Sequence, residues 1–368
     1  MRALGQILSL LLLAALWLPA FQHLTGTWSF RPLAGDVPTP SAPEASLDAF
    51  LDGSYQTATA AYLRSAVGFQ PALVRTYNEF HYRIHRRARA NGVLVGGDLG
   101  QPVLFEADYI RSFRGQDGVR PTEIDSAADR LLAVAEAFAA RGIPLLTVLA
   151  PNKARFWPEA LPAGPPPARE GTYERWRSAL AARDLAYFDA DSLLRSWRDT
   201  TPHPLFSPTG VHWTRYAAMR IIPPLLDRYA ALARRPMPRF EITALRTPGE
   251  ARWNDDDIEQ GMNIWTDLPD GALTYGDYAW HNTAGAPRVL VSGDSFYWGL
   301  FNLGCSKEGF GGGSFAFYHR ALYPESYDAP TSDVNLTDVE GIVLVFTDAT
   351  FRKSLYPFLD DAETQLNR

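Results

Sequence analysis

Three short, continuously apolar segments, separated by helical patterns, constrain the fold of this 368-residue chain most strongly. They are PLLTVLA at 144–150, VLV at 289–291 and IVLVF at 342–346. Between the first two, apolar residues recur with helical spacing at 125–138 and 173–183. Strands that are apolar throughout must be buried on both faces, as in a parallel sheet between helices. We therefore predict an α/β fold with a mostly parallel sheet flanked by helices.

Weaker signals place further elements around these segments. Short strands are predicted at 92–95 and at 186–188. A helix is predicted at 214–222 and should end there, because Pro223 and Pro224 follow. Proline lacks the backbone N–H and clashes with the preceding helical turn.

The N-terminal segment is predicted to hold the chain at a membrane. Arg2 precedes an apolar run at 8–21, and a positive charge before such a run keeps the N-terminus in the cytoplasm. Residues 18–20 match the cleavage pattern of a signal peptide poorly. We predict an uncleaved anchor at 1–24 in the inner membrane, with a cleaved signal peptide as the alternative. In either case the rest of the chain is exported to the periplasm.

Two further segments follow the predicted anchor. Residues 31–43 include four prolines, Pro38 among them, and this composition predicts an extended, semi-stiff spacer. Residues 44–89 have an amphipathic helical pattern. We therefore predict a spacer with a helical lead-in at 25–90 and a catalytic domain at 91–368.

Charge and cysteine content exclude some classes of protein. The formal net charge is −6 and the isoelectric point is about 5.7, which argues against nucleic acid as a partner. The single cysteine, Cys305, can form no disulfide within the chain and no metal site of several thiolates. Cys305 could be a nucleophile, but no paired motif surrounds it.

A turn containing a serine follows the second apolar segment directly. The sequence there is VSGDSF at 291–296, so Ser295 lies at the end of a predicted strand. A nucleophilic serine needs an exposed position at a sharp turn after a strand, and the glycine permits such a turn. The alternative is an ordinary turn, because Gly, Asp and Ser all favour turns. We predict that Ser295 is a nucleophile.

His212 is the best candidate for a general base. It lies in SPTGVHWT at 207–214, a turn rich in Pro and Gly before a predicted helix. An imidazole with an ordinary pKa of ~6.5 suits proton transfer at neutral pH. The alternative is a structural histidine that is stacked by Trp213.

Asn152 and Lys153 directly follow the apolar segment at 144–150. In open parallel sheets, ligand sites form beyond the carboxyl ends of the strands. Side-chain N–H groups at that place can donate to an oxyanion or to a sugar hydroxyl. The alternative is that Asn152 caps a turn and Lys153 is a solvated surface charge.

Three consecutive acids, Asp255, Asp256 and Asp257, lie in a polar stretch at 253–258. Such a run is typical of a solvated loop or a cation-binding turn, and metal coordination needs more ligands than this run offers. We predict no metal site. One of the three carboxylates could instead orient His212.

Four blocks of the sequence resemble the alginate O-acetyltransferase family, exported enzymes that acetylate exopolysaccharides. In the family's order, the blocks are GVLVGGDLGQPVLF at 92–105, PNKARFWPEALP at 151–162, TGVHWT at 209–214 and VSGDSF at 291–296. The resemblance spans about 91–351. It implies an SGNH-hydrolase-like (flavodoxin-like) fold for the predicted catalytic domain.

The resemblance also implies roles for individual residues, with Ser295 as the nucleophile and His212 as the base. The family's pattern is Asp-x-His-Trp, but Gly210 occupies the position of the aspartate that would orient the histidine. We favour replacement of that acid by Asp256 or Asp257, and the alternative is an incomplete triad with weak activity. Loss of the orienting acid alone can cost ~10⁴ in rate.

The family's chemistry implies a two-step acetyl transfer through an acyl-enzyme on Ser295, with a polysaccharide hydroxyl as the acceptor. The oxyanion donors would be the backbone N–H of Ser295 or Phe296 and the side chain of Asn152. Trp213 could form a sugar-stacking face. A multi-pass membrane acyltransferase would supply the acetyl group, and no cofactor is implied.

Two other functions are compatible with the same residues. An esterase would use water as the acceptor, and the difference lies in how well the site excludes water. A non-catalytic polysaccharide-binding or assembly protein on a degenerate hydrolase fold would explain Gly210.

Overall fold

The computed structural model describes the chain except for residues 1, 36, 38, 39, 66, 99, 168, 248–250, 325–329, 332, 333 and 368. The chain divides into two compact units. The first unit contains residues 1–91 and 259–267, and the second contains residues 92–258 and 268–368. Our division into anchor, spacer and catalytic domain stays a prediction, and Pro38 of the predicted spacer lies outside the described residues.

The described residues form α-helices and β-strands that we number in chain order. The helices are α1 (Arg2–Thr25), α2 (Leu47–Leu51), α3 (Ser54–Ser65), α4 (Gln70–His85), α5 (Ala107–Phe113), α6 (Pro121–Ala139), α7 (Lys153–Phe156), α8 (Thr172–Ala182), α9 (Ala190–Trp197), α10 (Arg215–Ala233), α11 (Asp257–Met262), α12 (Tyr297–Phe301) and α13 (Phe351–Leu366). The strands are β1 (Val93–Gly97), β2 (Pro102–Glu106), β3 (Leu145–Leu149), β4 (Tyr187–Asp189), β5 (Arg239–Arg246), β6 (Tyr275–His281), β7 (Val289–Gly293), β8 (Phe315–Phe317), β9 (Ala321–Tyr323) and β10 (Gly341–Phe346).

The first unit begins with the apolar helix α1. Its Gly5–Thr25 segment has 21 residues, a mean hydropathy of 1.8 and no burial within the protein. By length and composition this helix could cross a membrane, although a signal sequence has the same properties. The helix is therefore a candidate anchor.

Helix α4 organises the rest of the first unit through polar side chains. The Arg75 guanidinium donates to the carbonyls of Arg31 and Pro32 at 2.7 and 2.8 Å. The Asn78 amide donates to the Met262 carbonyl at 2.8 Å. The two Arg75 bonds satisfy backbone carbonyls of a segment without regular structure, and so fix the start of the predicted spacer on the helix.

The second unit is built on a six-stranded sheet with the strand order β4-β3-β10-β7-β8-β9. All neighbouring pairs are parallel except β8 with β9. β10, the last strand in sequence, lies in the centre of the sheet between β3 and β7. There Ile342 is in register with Leu145 on one side and Leu290 on the other. β3, β7 and β10 are completely buried, as the apolar segments predict, so the predicted α/β fold is confirmed.

Helices cover both faces of this sheet. α6, α8 and α13 pack on one face in a cluster that includes Leu131, Trp176 and Phe358, each fully buried. On the other face lies α10, where Tyr229 comes so close to β10 that a Cβ at Gly341 would overlap its hydroxyl. Each strand face is thereby shielded from water, which is what stabilises an all-apolar strand.

Two predicted helix boundaries are wrong. α10 does not end at Ile222 but continues through Pro223 and Pro224 to Ala233. The residues beyond the prolines, such as Leu225 and Tyr229, are buried, and this packing offsets the lost backbone hydrogen bonds. α6 begins at Pro121, four residues before the predicted start, because proline is well suited to the first helical turn.

Candidate active site

The candidate active site lies at the carboxyl ends of the central strands. β7 ends at Gly293, and Ser295 follows in a tight turn before α12. A Cβ at Gly293 would lie 2.6 Å from the Val345 carbonyl oxygen, so this strand end must be glycine to pack on β10. The close approach explains the glycine of the SGDSF block.

Asp294 holds this turn in place. One carboxylate oxygen accepts the Phe296 N–H at 3.0 Å. The other accepts the Thr347 N–H at 2.8 Å and the Thr350 hydroxyl at 2.6 Å, both beyond the end of β10. Burial raises the pKa of Asp294, and these hydrogen bonds act in the opposite direction. The aspartate of the motif therefore ties the serine turn to the neighbouring strand.

His212 joins Ser295 to a carboxylate. Its Nε2 lies 2.8 Å from the Ser295 Oγ, and its Nδ1 lies 2.7 Å from the Asp257 Oδ2. The imidazole is buried and its ring centroid lies 4.9 Å from that of Phe296. A serine, a histidine and a carboxylate are thus connected in the order that nucleophilic serine chemistry requires.

Asp257, at the start of α11, is the acid that contacts the histidine. Its Oδ2 accepts from His212 and its Oδ1 accepts the Val211 N–H at 2.8 Å, so both oxygens hold the histidine segment. Burial opposes protonation of His212, but the Asp257 charge and hydrogen bond outweigh it and raise the pKa of the imidazole. Of our two candidates, the structure places Asp257 and not Asp256 in this position.

Asp255 has a separate, structural environment. It is buried, and its Oδ2 accepts the Tyr275 hydroxyl at 2.7 Å. Burial raises the pKa of this carboxyl to about 7. The acidic run at 253–258 is therefore not a fully solvated loop. Among the described residues, no group of three or more His, Cys, Asp or Glu side chains could hold a metal ion.

Gly210 is required by the position of the acidic loop. A Cβ at this residue would lie 2.5 Å from the Asp255 carbonyl oxygen and 3.1 Å from that of Asn254. Real Cβ atoms do not approach backbone atoms so closely. The loop that brings Asp257 to His212 therefore occupies the space that a side chain at 210 would need.

Asn152 has the capping role that we considered as the alternative. Its side-chain oxygen accepts the Ala154 N–H at 2.8 Å and caps α7. Its amide donates to the Tyr109 carbonyl at 2.9 Å and to Asp348 at 3.0 Å. Both amide hydrogens are thus in use, and donation to an oxyanion would require one of these bonds to be released.

Lys153 is not the solvated surface charge that we considered as the alternative. It is 1% exposed, and its ammonium donates to the carbonyls of Leu104, Pro208 and Gly210 at 2.8, 2.9 and 2.6 Å. Burial lowers the pKa of Lys153 to about 7. Its three donors are fully used, so Lys153 positions the loop before His212 and does not face substrate.

Phe296 and Trp213 are buried around the histidine. Their ring centroids lie 5.4 Å apart in an edge-to-face arrangement. Trp213 is only 2% exposed, so the predicted sugar contact is not available to its ring. The Phe296 N–H is taken by Asp294, whereas no hydrogen bond among the described residues uses the Ser295 N–H.

Tyr318 is a site residue that we did not predict. Its side chain interacts with that of Ser295, and burial raises the pKa of the phenol to about 12. Tyr318 and His319 both have a positive φ, of 49° and 55°. His319 is held between the Ser292 Oγ at 3.0 Å and Asp361 at 2.9 Å. No motif marks Tyr318, because β8 brings it to the site through tertiary pairing alone.

Cys305 does not take part in this site. The thiol is buried, and burial raises its pKa to about 12. A thiol that is so difficult to ionise is a poor nucleophile.

The sheet and its covering helices define an SGNH-hydrolase-like domain. Within it, residues 105–231 match a family model described as the SGNH hydrolase-like domain of the acetyltransferase AlgX. This match confirms the resemblance to exopolysaccharide acetyltransferases that the motifs indicate. The segment includes His212 but neither Ser295 nor Asp257, whose roles therefore rest on geometry. No curated protein sequence matches the chain.

Several solved structures are similar to this chain at low identity. The O-acetyltransferase domain of Pseudomonas putida AlgJ is 18% identical, with a TM-score of 0.45, over 70% of this chain and 92% of that one. Bacillus cereus PatB1 is 10% identical, with a TM-score of 0.42, over 70% and 97%. Pseudomonas aeruginosa AlgX is 13% identical, with a TM-score of 0.42, over 73% and 67%. At these scores the structures add nothing to the assignment, which rests on the family model and the motifs.

Proposed function

We propose that this protein is an extracytoplasmic O-acetyltransferase that transfers acetyl groups to hydroxyls of an exopolysaccharide through an acyl-enzyme on Ser295. The observation that carries the proposal is the chain of hydrogen bonds from Ser295 through His212 to Asp257. A binding or assembly protein would have no need of this arrangement. The match to an acetyltransferase family model supports acetyl as the transferred group.

The first half-reaction would acylate the serine. As the Ser295 Oγ attacks the carbonyl carbon of the acetyl donor, its proton passes to the His212 Nε2, 2.8 Å away. Asp257 holds the Nδ1–H tautomer and stabilises the imidazolium that forms. The imidazolium then gives its proton to the leaving group, and the carbonyl re-forms as the acetyl-serine ester.

The second half-reaction would use the same groups in the same order. A sugar hydroxyl attacks the acetyl carbonyl while the His212 Nε2 accepts its proton. When the tetrahedral intermediate collapses, the imidazolium returns the proton to the Ser295 Oγ. With water in place of the sugar hydroxyl the enzyme would be an esterase, so exclusion of water decides between the two outcomes.

Donors to the oxyanion would come from the serine turn and its surroundings. The Ser295 N–H has no acceptor among the described residues and is the natural first donor. We propose the Tyr318 hydroxyl as the second donor, because the Tyr318 side chain interacts with that of Ser295. One such donor is worth roughly 10²–10³ in kcat in other serine enzymes.

The candidate anchor α1 is consistent with acetyl transfer at the extracytoplasmic face of the membrane. A tethered enzyme stays close to a membrane acyltransferase that passes acetyl groups across the bilayer, which is the donor that we propose. The acceptor would be a polysaccharide during its export.

The test of this proposal uses the full-length protein in a neutral detergent. Wild type and Ser295→Ala are incubated with p-nitrophenyl acetate, and the intact mass and nitrophenolate release are measured. We expect an acetyl adduct or turnover in the wild type and neither in the variant. A folded wild type without adduct or turnover would contradict a serine acyl-enzyme. Oligosaccharides added afterwards distinguish transfer from hydrolysis.

A further inference from the structure

Helix α4 presents a row of large apolar side chains to the surface of the first unit. Leu73, Tyr77, Phe80 and Ile84 are 55%, 50%, 56% and 63% exposed. Successive members are three or four residues apart, so the four side chains lie above one another on one side of the helix. We call these four residues the α4 stripe.

The opposite side of α4 is buried and mostly polar. Arg75, Asn78 and Tyr82 are 5%, 9% and 6% exposed. The Arg75 and Asn78 side chains donate to main-chain carbonyls within the first unit. A surface helix of a water-soluble protein normally buries its apolar side and exposes its polar side. Because α4 has the reverse arrangement, its stripe is suited to an apolar environment outside the protein.

The start of α4 is fixed on the last turns of the candidate anchor α1. The Phe69 N–H donates to the Gln22 side-chain oxygen at 3.0 Å. A Cβ at Gly68 would overlap the Pro19 carbonyl oxygen, so this glycine permits a close approach of the two segments. Pro19 and Gln22 both belong to Gly5–Thr25, the segment that could cross a membrane. α4 therefore begins close to the place where α1 would leave the bilayer.

Aromatic rings surround this junction. Trp28, three residues beyond the end of α1, is 58% exposed and stacks on Phe69 with a centroid distance of 5.9 Å. Phe30 packs edge-to-face on the same ring at 5.7 Å. Aromatic residues are enriched where a membrane helix reaches the lipid headgroups. The junction of α1 and α4 thus has side chains typical of a membrane–water interface.

Cationic side chains border the α4 stripe. Arg86 ends the helix with a φ of 53°, and the Arg87 N–H then donates to the His81 carbonyl at 3.4 Å. The Arg89 guanidinium lies 5.5 Å from the centroid of the Tyr77 ring, beside the stripe. Arg87 and Arg89 are exposed, and neither forms an ion pair with a carboxylate among the described residues. Basic groups next to an apolar helix side are typical of helices that lie on anionic lipid.

We infer that the α4 stripe docks on the anionic surface of the bilayer that holds α1, as a second attachment of the first unit to the membrane. The four apolar side chains would enter the boundary of the acyl chains, and Arg87 and Arg89 would meet lipid phosphates. Because α1 holds α4 at the bilayer, this second contact forms at a high effective concentration. A second copy of the chain would add like charges to the surface, whereas lipid phosphates complement them. The inference rests on α1 as an anchor and does not depend on acetyl transfer.

The experiment measures whether the stripe contacts lipid. Full-length Phe80→Cys and Ile84→Cys are labelled with the fluorophore NBD and reconstituted into vesicles of phosphatidylcholine and phosphatidylglycerol. Native Cys305 is buried, which confines the label to the introduced thiol. We expect a nitroxide on the lipid acyl chains to quench both labels at least about twofold. Leu245→Cys is the matched control, because Leu245 is also apolar and 41% exposed but lies in the second unit.

Three outcomes would overturn the inference. The first is that the labels at Phe80 and Ile84 are not quenched, or are quenched no more than the label at Leu245. The second is an unquenched label whose emission becomes water-like when the protein is diluted in lipid, which would identify a second copy as the occupant. The third is a full-length protein that does not float with the vesicles, which would contradict the anchor as well.

Variants separate the apolar and the charged contributions. With the label at Ile84, Phe80→Glu should reduce quenching at least about twofold, whereas Phe80→Leu should leave it unchanged. Arg87→Gln combined with Arg89→Gln should reduce quenching in the anionic vesicles but not in vesicles of phosphatidylcholine alone. Equal quenching in all these variants would contradict docking through the stripe. If Phe80→Glu does not fold, the arginine substitutions decide, because both residues are exposed and follow the end of the helix.

Discussion

The identity of residue 210 and the position of Asp257 depend on each other, although the two residues are far apart in sequence. The family's pattern has an aspartate two residues before the histidine, and this chain has Gly210 instead. The carboxylate on His212 comes from Asp257, and the backbone of the same loop fills the space beside Gly210. The carboxylate that contacts His212 is thus supplied from another place in the chain, and the glycine makes room for the loop that supplies it.

Replacement of the proposed orienting acid should reduce catalysis strongly. Asp257→Asn keeps the shape but removes the charge that stabilises imidazolium, and we expect kcat to fall on the order of 10³–10⁴-fold. Asp256→Asn is the matched control and should stay within a few-fold of wild type. Nitrophenolate release from p-nitrophenyl acetate measures kcat for both variants. Equal activity of the two variants would contradict the assignment.

The pH profile should report the same carboxylate. Catalysis needs neutral His212, so activity is lost as the pH falls through the pKa of the imidazole. Asp257 raises that pKa, so the acidic limb of kcat/KM in the wild type should lie above the ordinary value of ~6.5. In Asp257→Asn the acidic limb of the kcat/KM profile should move to lower pH, and the maximal kcat/KM should fall. A limb that stays in place would mean that another group titrates.

Restoring the family's aspartate should not restore activity. Gly210→Asp combined with Asp257→Asn should stay inactive, because even the Cβ at 210 would overlap the Asp255 carbonyl. Gly210→Ala alone should destabilise the protein by about 1–3 kcal/mol, the usual cost of overpacking. Gly261→Ala is the control, since nothing lies within 4 Å of its Cβ position. Urea denaturation measures the stability of Gly210→Ala and Gly261→Ala, and equal midpoints would contradict the predicted clash at residue 210.

At the scale of elements, the site depends on how β7 and β10 are joined. Asp294 connects the turn after β7 with Thr347 and Thr350 after β10. The sequence identifies both strands, because each is continuously apolar. It does not show that they are neighbours, since 47 residues separate Gly293 from Gly341 and their pairing is a tertiary event.

Removal of this connection should destabilise the domain. Asp294→Ala leaves the buried N–H groups of Thr347 and Phe296 without acceptors, and we expect a loss of about 2–4 kcal/mol in the free energy of unfolding. Asp360→Ala removes an exposed carboxylate that pairs with Arg130 and should cost less than about 1 kcal/mol. Urea midpoints compare the two. Similar losses would mean that Asp294 does not join the strands.

At the scale of the whole molecule, the proposed function requires that the second unit lie outside the cytoplasm. Arg2 and the apolar α1 predict a cytoplasmic N-terminus and an exported remainder. A reporter that is active only outside the cytoplasm, fused after residue 30, should be active in cells. The same fusion without residues 1–24 should be inactive. An inactive reporter in the first fusion would place residue 30 in the cytoplasm and contradict acetylation of an exported polymer.

Local patterns in the sequence were sufficient to predict the central strands, the family resemblance and the candidates Ser295 and His212. Those patterns are continuous apolarity, glycine turns and motif blocks in a fixed order. Three features became visible only in the folded chain: which of the two candidate carboxylates, Asp256 or Asp257, meets the histidine, the burial of Lys153, and the interaction of Tyr318 with the serine. Such contacts join residues from separate segments, and their free energy depends on packing that no local pattern contains. For the same reason α10 continues through two prolines, since burial of its later turns outweighs a strong local signal to stop.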